Sequence, residues 1–339
     1  MFKNLRVGML AVCLFLSLNL HAEPLNLVTT EWETFTSDGS HSARLNDFVI
    51  QAFARAGYEV TITIERPAFA GSGLNTGKYD GRIDFIDLNP QKAEFSYSQQ
   101  YFPVRLHLIG KKRDVESVRT FSQVRNARVA VENRYAATPS LRLVREVKWS
   151  RNPTTFESIA NLAGERSNYL LSDSLMFSEF NRLLFAENEE VLHKSIEPMF
   201  DTGLQVSLNN KVELSASILE AFSQAAKVML VDGSVNKIFG IEWIVADIDS
   251  DGSAEWISSA QVNHPALLTT DYPSNIQQSA YQWDSSEVSI DSKILIDGDT
   301  YTNWADATAL LKSQVTEDMQ STRVSFLDES AYKSILSKW

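Results

Sequence analysis

The chain has 339 residues, with 31 lysine and arginine residues against 43 aspartate and glutamate residues, which gives a formal net charge of −12. Hydrophobic residues make up 44% of the chain and charged residues 22%, which is a globular composition and excludes a disordered or collagen-like protein. The acidic balance argues against nucleic acid as a partner, because neutralising phosphates needs an excess of lysine and arginine. The length predicts two or more compact units.

Residues 1–22 have the layout of a secretory signal peptide. A positively charged start with Lys3 and Arg6 is followed by an apolar run and then by Ala22. We therefore expect export to the periplasm and a mature chain that begins after this segment; the alternative is a retained membrane anchor. The only cysteine, Cys13, lies in the apolar run, so the mature chain would contain no disulfide.

Strand and helix signals alternate through the next two thirds of the chain. Leu25 to Thr30 alternates apolar and polar residues as a strand does, and apolar residues from Leu45 to Phe53 recur at helical spacing. The same patterns predict strands over 58–65, 83–88, 104–109, 128–131, 169–171 and 204–208, and helices over 155–162, 174–184 and 214–230. The alternation predicts an α/β fold with parallel sheets, organised as two lobes.

Three separated segments of this part carry a shared pattern. They are Gly77–Gly81 (GKYDG), Gln91–Tyr101 (QKAEFSYSQQY) and Asp232–Trp243 (DGSVNKIFGIEW). In order and spacing they resemble the polar amino-acid family of bacterial extracytoplasmic solute-binding proteins, over about residues 25–244. The resemblance implies a two-lobe type II periplasmic-binding fold with two hinge crossings, near 101–104 and 203–206.

The implied division of the chain places the first lobe at 23–103 and 207–244, the second lobe at 104–206, and a smaller mixed extension at 245–339. In such a fold a solute that touches both lobes stabilises the closed state, so no chemistry on the solute is required. We expect a monomeric binding protein that delivers a small polar solute to an inner-membrane permease of the ABC type. The alternative is an extracytoplasmic sensor or interaction protein.

An enzyme is the less favoured class. The sequence has neither a His-Glu-x-x-His nor a Gly-x-Ser-x-Gly motif, and its five histidines are scattered. A glycine-rich segment at 71–78 has the wrong spacing for a phosphate-binding loop. We expect no required cofactor.

Candidate solute-binding residues follow from their positions at the carboxyl ends of strands, where ligands of open α/β sheets bind. Glu31, Trp32 and Phe35 follow the first strand, and the two aromatic residues either cover an apolar face of the solute or pack the lobe. Arg134 and Tyr135 follow the strand at 128–131. Arg134 either binds an anionic group or is a surface arginine in a loop.

Further candidates come from the resemblance. Lys92 takes the place of the family's carboxylate-binding arginine, so it keeps the positive charge but loses the planar, bidentate geometry; it is otherwise a solvated surface lysine. Asp84 and Asp87 stand where the family often has hydroxyl residues, which predicts a more acidic pocket.

Asp173 matches the family's aspartate that receives the amino group of the solute. A buried carboxylate needs a donor or a cation, and a solute ammonium supplies one. The alternative is a helix N-cap, because Asp173 precedes the helix predicted at 174–184. The expected solute therefore carries an amine and is amino-acid-like.

The extension from residue 245 is acidic, with 15 acidic and 5 basic residues, and it begins with a separate motif. In the run DIDSDGSAE from 247 to 255, oxygen-bearing residues alternate around a glycine, which is the ligand chemistry that Ca²⁺ prefers. The candidate ligands are Asp247, Asp249, Asp251, Ser253 and Glu255. The alternative is a surface turn without a metal.

Overall fold

A computed structural model of the chain describes residues 23–32, 35–38, 43–186, 189–262, 280–284 and 289–313. The predicted signal peptide at 1–22 and the end of the predicted extension at 314–339 lie outside the described residues. Within the described ranges, no helix combines the length and the apolar composition needed to cross a membrane.

The chain alternates strands and helices, as the sequence predicts. The strands are β1 (Leu25–Thr29), β2 (Val60–Ile64), β3 (Gly81–Ile86), β4 (Phe95–Tyr97), β5 (Phe102–Gly110), β6 (Arg128–Glu132), β7 (Lys148–Asn152), β8 (Tyr169–Asp173), β9 (His193–Lys194), β10 (Phe200–Asn209), β11 (Trp243–Ala246), β12 (Ser253–Ser258), β13 (Tyr281–Gln282), β14 (Ser289–Ile296) and β15 (Asp299–Tyr301). The α-helices are α1 (Arg44–Arg55), α2 (Pro67–Thr76), α3 (Asn133–Ala136), α4 (Pro139–Leu143), α5 (Thr155–Ala163), α6 (Ser174–Ala186), α7 (Ser215–Val231), α8 (Ser234–Phe239) and α9 (Trp304–Ser313). Two 3₁₀ helices cover Arg113–Ser117 and Phe121–Val124.

The large sheet has the strand order β2-β1-β3-β10-β5-β8-β6-β7. At one end β1 is parallel to β2 and β3, and we call the part of the chain built on β1–β4 the first lobe. At the other end β6 is parallel to β7 and β8, and we call the part built on β6–β8 the second lobe. This arrangement confirms the predicted two-lobe α/β fold class.

Two long strands, β5 and β10, connect the lobes. The second half of β10 pairs with β3 and its first half pairs with β5, both antiparallel. The residues predicted as crossings, 101–104 and 203–206, lie at the start of β5 and in the middle of β10. Every residue of β5 is buried, including the polar Arg105 and His107.

Helix α1 shows how the pattern produces the packing. Most of its apolar residues lie on one buried face, whereas Ile50 is exposed on the other; the buried apolar residues are Leu45, Phe48, Val49, Ala52 and Phe53. Phe53 packs against Phe222 of α7, with ring centroids 4.7 Å apart. The returning helix α7 therefore closes the core of the first lobe.

The glycine-rich segment before β3 differs from a simple loop, because residues 67–76 form helix α2. Pro67 occupies the first turn, where its fixed φ favours a helix, and Gly77 ends the helix with a left-handed φ of 79°. Only Ala70, Gly73 and Leu74 are buried. Because so few of its residues are buried, the sequence of α2 shows little of the apolar periodicity that predicts a helix.

Gly81 lies where β3 meets β10 most closely. A Cβ atom at this position would collide with the backbone carbonyl oxygen of Ser207. We expect Gly81→Ala to lower the free energy of unfolding by about 1–3 kcal/mol, because the strands must move apart. Gly71 in α2 is the matched control, since a Cβ there meets nothing within 4 Å. In urea unfolding, Gly71→Ala should leave the free energy of unfolding unchanged or raise it by up to about 1 kcal/mol. Equal losses of stability in the two variants would contradict the close approach of β3 and β10 at Gly81.

The extension forms its own five-stranded sheet in the order β13-β11-β12-β14-β15. Strand β11 spans the boundary predicted near residue 244. Trp243, Trp256 and Trp304 pack together on this sheet, with ring centroids 5.3–6.3 Å apart. This second sheet confirms the predicted smaller mixed extension.

Candidate functional site

Polar residues of the two lobes meet at the carboxyl ends of the parallel strands. Asp84 lies on β3, Arg134 is the second residue of α3 after β6, and Asp173 ends β8. The structure brings Arg134 of the second lobe to Asp84 of the first lobe, with 2.9 Å between Nη1 and Oδ2. The candidate site is therefore built at this junction.

Asp84 is buried and fully paired. Arg82, two residues earlier on the same strand, places Nη2 2.6 Å and Nε 2.9 Å from Oδ1, while Arg134 holds the other oxygen. Burial by itself would raise the pKa of Asp84, but the charges of Arg82 and Arg134 outweigh it and lower the pKa to about 2. The carboxylate is ionised and its charge is balanced within the protein.

Arg134 makes three further contacts. Its Nη2 donates to the carbonyl oxygen of Glu31 at 2.9 Å, its Nε lies 3.3 Å from Oε1 of Glu132, and its guanidinium lies 4.2 Å from the centre of a Trp32 ring. The side chain is only 9% exposed. Arg134 is therefore a buried ion-pair residue that joins the two lobes and not a surface arginine, and its contact with an anionic group of the solute stays a prediction.

Trp32 and Phe35 pack the lobe, which was one of the two alternatives. Their rings stack with centroids 4.5 Å apart, and both side chains are buried. Phe35 also contacts Phe102 of β5, with centroids 6.4 Å apart, and Tyr135 meets the edge of Trp32. The guanidinium of Arg134 lies over Trp32, where a solute would have to stack.

Asp173 is 6% exposed, and its Oδ1 accepts a hydrogen bond from the backbone N–H of Met176 at 2.9 Å. Asp173 therefore caps the N-terminus of α6, as the second sequence-based interpretation predicts. In this role its carboxylate accepts hydrogen bonds from backbone N–H groups only. No ion pair of Asp173 occurs within the described ranges. Burial raises its pKa to about 6, the N–H of Met176 lowers it, and the nearby Glu132 raises it further.

Tyr135 is a buried residue of α3 in the same lobe. The side chain is 2% exposed, and its hydroxyl has no hydrogen-bond partner in the part of the chain that the structure describes. Burial raises the pKa of Tyr135 well above its usual value, and the charge of Asp173 adds to the effect. The second lobe thus holds a buried hydroxyl without a partner among the described residues and a buried carboxyl that is paired with a backbone N–H group.

Two predicted residues lie apart from this group. Asp87 is exposed and accepts a hydrogen bond from Gln100 at 3.1 Å. Lys92 is exposed beside a cavity of about 140 Å³ that Phe85, Tyr97 and other residues line. Among the described residues, no hydrogen bond or ion pair joins either residue to the other candidates.

Sequence reasoning missed three residues of the site. Arg82 follows the two-residue period of β3 and so shares a face with Asp84, a signal that the sequence does contain. Glu132 is buried at the end of β6, and its Oε2 accepts a hydrogen bond from the hydroxyl of Thr155. Tyr281 of the extension is close enough for the charge of Asp173 to contribute to its raised pKa, after burial. Nothing in the sequence places Tyr281 there.

The predicted calcium loop forms a carboxylate cluster from three of its five candidate ligands. Carboxylate oxygens of Asp247, Asp249 and Glu255 lie within 4.8 Å of one another. Asp251 instead accepts a hydrogen bond from the N–H of Ser253 at 2.8 Å. The ammonium of Lys293 lies 3.3 Å from Asp249 and 2.8 Å from Glu255, so it supplies positive charge to the cluster. A metal site here stays a prediction.

Comparison with known proteins supports the fold. No family model matches the chain, and no curated protein matches it. The GluR0 ligand-binding core in complex with L-glutamate is 13% identical, with a TM-score of 0.52 over 64% of this chain and 97% of that chain. The arginine-bound substrate-binding protein AbpA of Streptococcus pneumoniae is 17% identical (TM-score 0.47, 63% and 92% covered), and the second VFT domain of Bordetella pertussis BvgS is 14% identical (TM-score 0.49, 63% and 91% covered).

The likeness to the GluR0 core shows the fold, which is the two-lobe type II periplasmic-binding fold. It covers nearly all of that chain and about two thirds of this one. This is the fold that the three sequence motifs imply.

Proposed function

We propose that this chain is an exported solute-binding protein that captures a small amine-bearing polar solute between its lobes. The observation that carries the proposal is Asp173, a buried carboxyl group with backbone hydrogen bonds but no cationic partner among the described residues. A solute ammonium would supply the missing positive charge and gain a charge-assisted hydrogen bond.

The other charged residues of the junction favour Asp173 as the contact for the amine. Asp84 is paired with Arg82 and Arg134, and Glu132 lies against Arg134 and Thr155. A cationic solute would have to break an existing ion pair to bind either of these carboxylates. Asp173 carries no such cost, because its helix cap leaves lone pairs on the carboxylate.

The carboxylate group of an amino-acid solute has a less suitable binding partner than its amine. Lys92 is exposed and has no hydrogen bond or ion pair with the junction among the described residues, and Arg134 is already bound to two carboxylates. We therefore propose an amine-bearing, amino-acid-like solute whose acidic group, where it has one, is held less rigidly than its amine. The GluR0 core, bound to L-glutamate, shows that the fold accommodates an amine-bearing solute.

Delivery to an inner-membrane importer is the role proposed for the loaded protein, and it depends on export through residues 1–22. A second role, an extracytoplasmic sensor, is favoured by one observation. The extension packs on β5, with the Tyr281 hydroxyl donating to the Pro103 carbonyl at 2.6 Å. A movement of the connecting strand would therefore reach the extension.

A thermal-shift screen of amino acids, diamines, simple amines and neutral sugars tests the proposal. We expect the melting temperature to rise with at least one cationic amine, because ligands that bind only the folded state stabilise it. Asp173→Asn keeps the helix cap but removes the charge and should abolish the shift. Asp87→Asn, at an exposed aspartate outside the junction, is the control. Binding of a neutral sugar with no response to any amine would refute the proposal.

The calcium loop is proposed as a structural cation site that competes with Lys293. Without that ammonium, three carboxylates would repel one another, so a divalent cation would gain affinity. We expect calcium to raise the melting temperature more in Lys293→Met than in the unmodified protein, with EDTA removing the gain. If calcium does not change the melting temperature of Lys293→Met, the loop is a surface turn that binds no metal.

A further inference from the structure

The segment Tyr281–Asp284 of the extension lies against the strand that connects the lobes. Arg105 of β5 donates to the backbone carbonyls of Gln282 and Trp283, the second at 3.1 Å. The side chain of Arg105 is 9% exposed, so these carbonyls satisfy donors that burial would otherwise leave unpaired. Its Nε also lies 3.6 Å from Asp201.

Tyr281 is buried at this contact. Its hydroxyl donates to Pro103, and its ring stacks on Phe102 with centroids 5.9 Å apart. Trp283 meets the same Phe102 ring edge-on at 5.7 Å. Phe102 in turn contacts Phe35 of the first lobe. An aromatic cluster thus links the extension to the connecting strand and to the first lobe.

Tyr281 also belongs to the surroundings of the solute-binding carboxyl group. Leu106 of β5 is the register partner of Asp173, which puts the start of β5 beside the end of β8. The charge of Asp173 contributes to the raised pKa of both Tyr135 and Tyr281, after burial in each case. Ring contacts from Tyr281 through Phe102, Phe35 and Trp32 lead to Tyr135, so one tyrosine of the extension and one of the second lobe belong to one aromatic cluster at this end of β8.

We propose that the extension completes the solute site, with Tyr281 forming a wall beside Asp173 that selects which amines fit. The inference rests on the proposed function. It assigns the extension a part in recognition itself, because Arg105 and Pro103 fix Tyr281 at the junction of the lobes. The group attached to the amine would pack against the tyrosine rings, so Tyr281 would set the preferred size of that group.

The test uses the full chain and four probes: L-lysine, L-arginine, putrescine and n-butylamine. Tyr281→Ala should weaken binding of the best probe by about tenfold or more and change the order of the four affinities, since it removes a packed aromatic wall. Tyr281→Phe keeps the ring and should retain the order. Tyr301→Ala, on β15 of the same sheet, is the control for a general loss of stability in the extension.

A second measurement needs no solute. In Tyr281→Ala, water should reach Asp173 and lower its titration midpoint, followed by carbon-13 NMR of labelled aspartate carboxyls. The midpoint should not move in Tyr301→Ala. If no probe binds the unmodified protein, the proposed function fails and this inference fails with it. If probes bind but Tyr281→Ala changes neither their order nor the midpoint, or binds them more tightly, the inference alone is overturned.

Discussion

Replacing Arg134 with methionine is expected to lower the free energy of unfolding by about 3–5 kcal/mol, the cost of breaking a buried ion pair from one side. The arginine is 9% exposed and serves two buried carboxylates, Asp84 on the first lobe and Glu132 on the second. Methionine retains part of the volume and removes the charge. Asp84 then keeps Arg82 and the hydrogen bond from the Thr30 hydroxyl at 3.3 Å, and Glu132 keeps its hydrogen bond from Thr155.

The control is Arg113→Met, because Arg113 is 80% exposed in its ion pair with Glu116. Exposed ion pairs contribute little, so its urea unfolding midpoint should stay close to that of the unmodified protein. The unfolding midpoint of Arg134→Met should move strongly to lower urea. Equal midpoints for the two variants would contradict a buried ion pair that joins the lobes.

Asp173→Asn is expected to stabilise the solute-free protein while it abolishes amine binding. Burial raises the pKa of Asp173 from 3.8 to about 6, so the folded state holds a proton that the unfolded state has already released. The stabilisation from that bound proton is complete below pH 3.8 and is lost as the pH rises through about 6. Above that range the buried charge costs about 3 kcal/mol.

Asparagine avoids this cost and still caps the helix. The variant should therefore gain about 3 kcal/mol in free energy of unfolding at about pH 7.5, and only about 1 kcal/mol at about pH 4.5. Chemical unfolding at both pH values measures the difference. A variant that is no more stable than the unmodified protein at the higher pH would show that Asp173 already has a partner for its charge.

The elements of the lobes follow from local patterns in the sequence. The alternation of Leu25 to Thr30 and the helical spacing from Leu45 to Phe53 predict β1 and α1 because each element buries one face. Helix α2 was not predicted, since its glycines and its short buried stripe leave little periodicity. The fold could be predicted because both lobes repeat the same strand–helix unit.

The candidate site was harder to predict from the sequence, because the residues that contact one another in it are far apart along the chain. Position after a strand nominates Arg134, and the family resemblance nominates Asp84 and Asp173, but neither shows that Arg134 reaches across to Asp84, 50 residues away. The contact between Tyr281 and Pro103 spans 178 residues and depends on how the extension packs. Such pairings are set by tertiary packing, which no local pattern encodes.

The central claim is that Asp173 receives the amine of the solute, and proton release during binding tests it most directly. Near pH 6 the carboxyl group is protonated in about half of the molecules. An ammonium that pairs with the carboxylate must displace the proton from those molecules. Calorimetry of the best amine in buffers of different ionisation enthalpy should show the release of up to about half a proton per solute bound. Binding of that amine near pH 6 with no proton release would contradict the account.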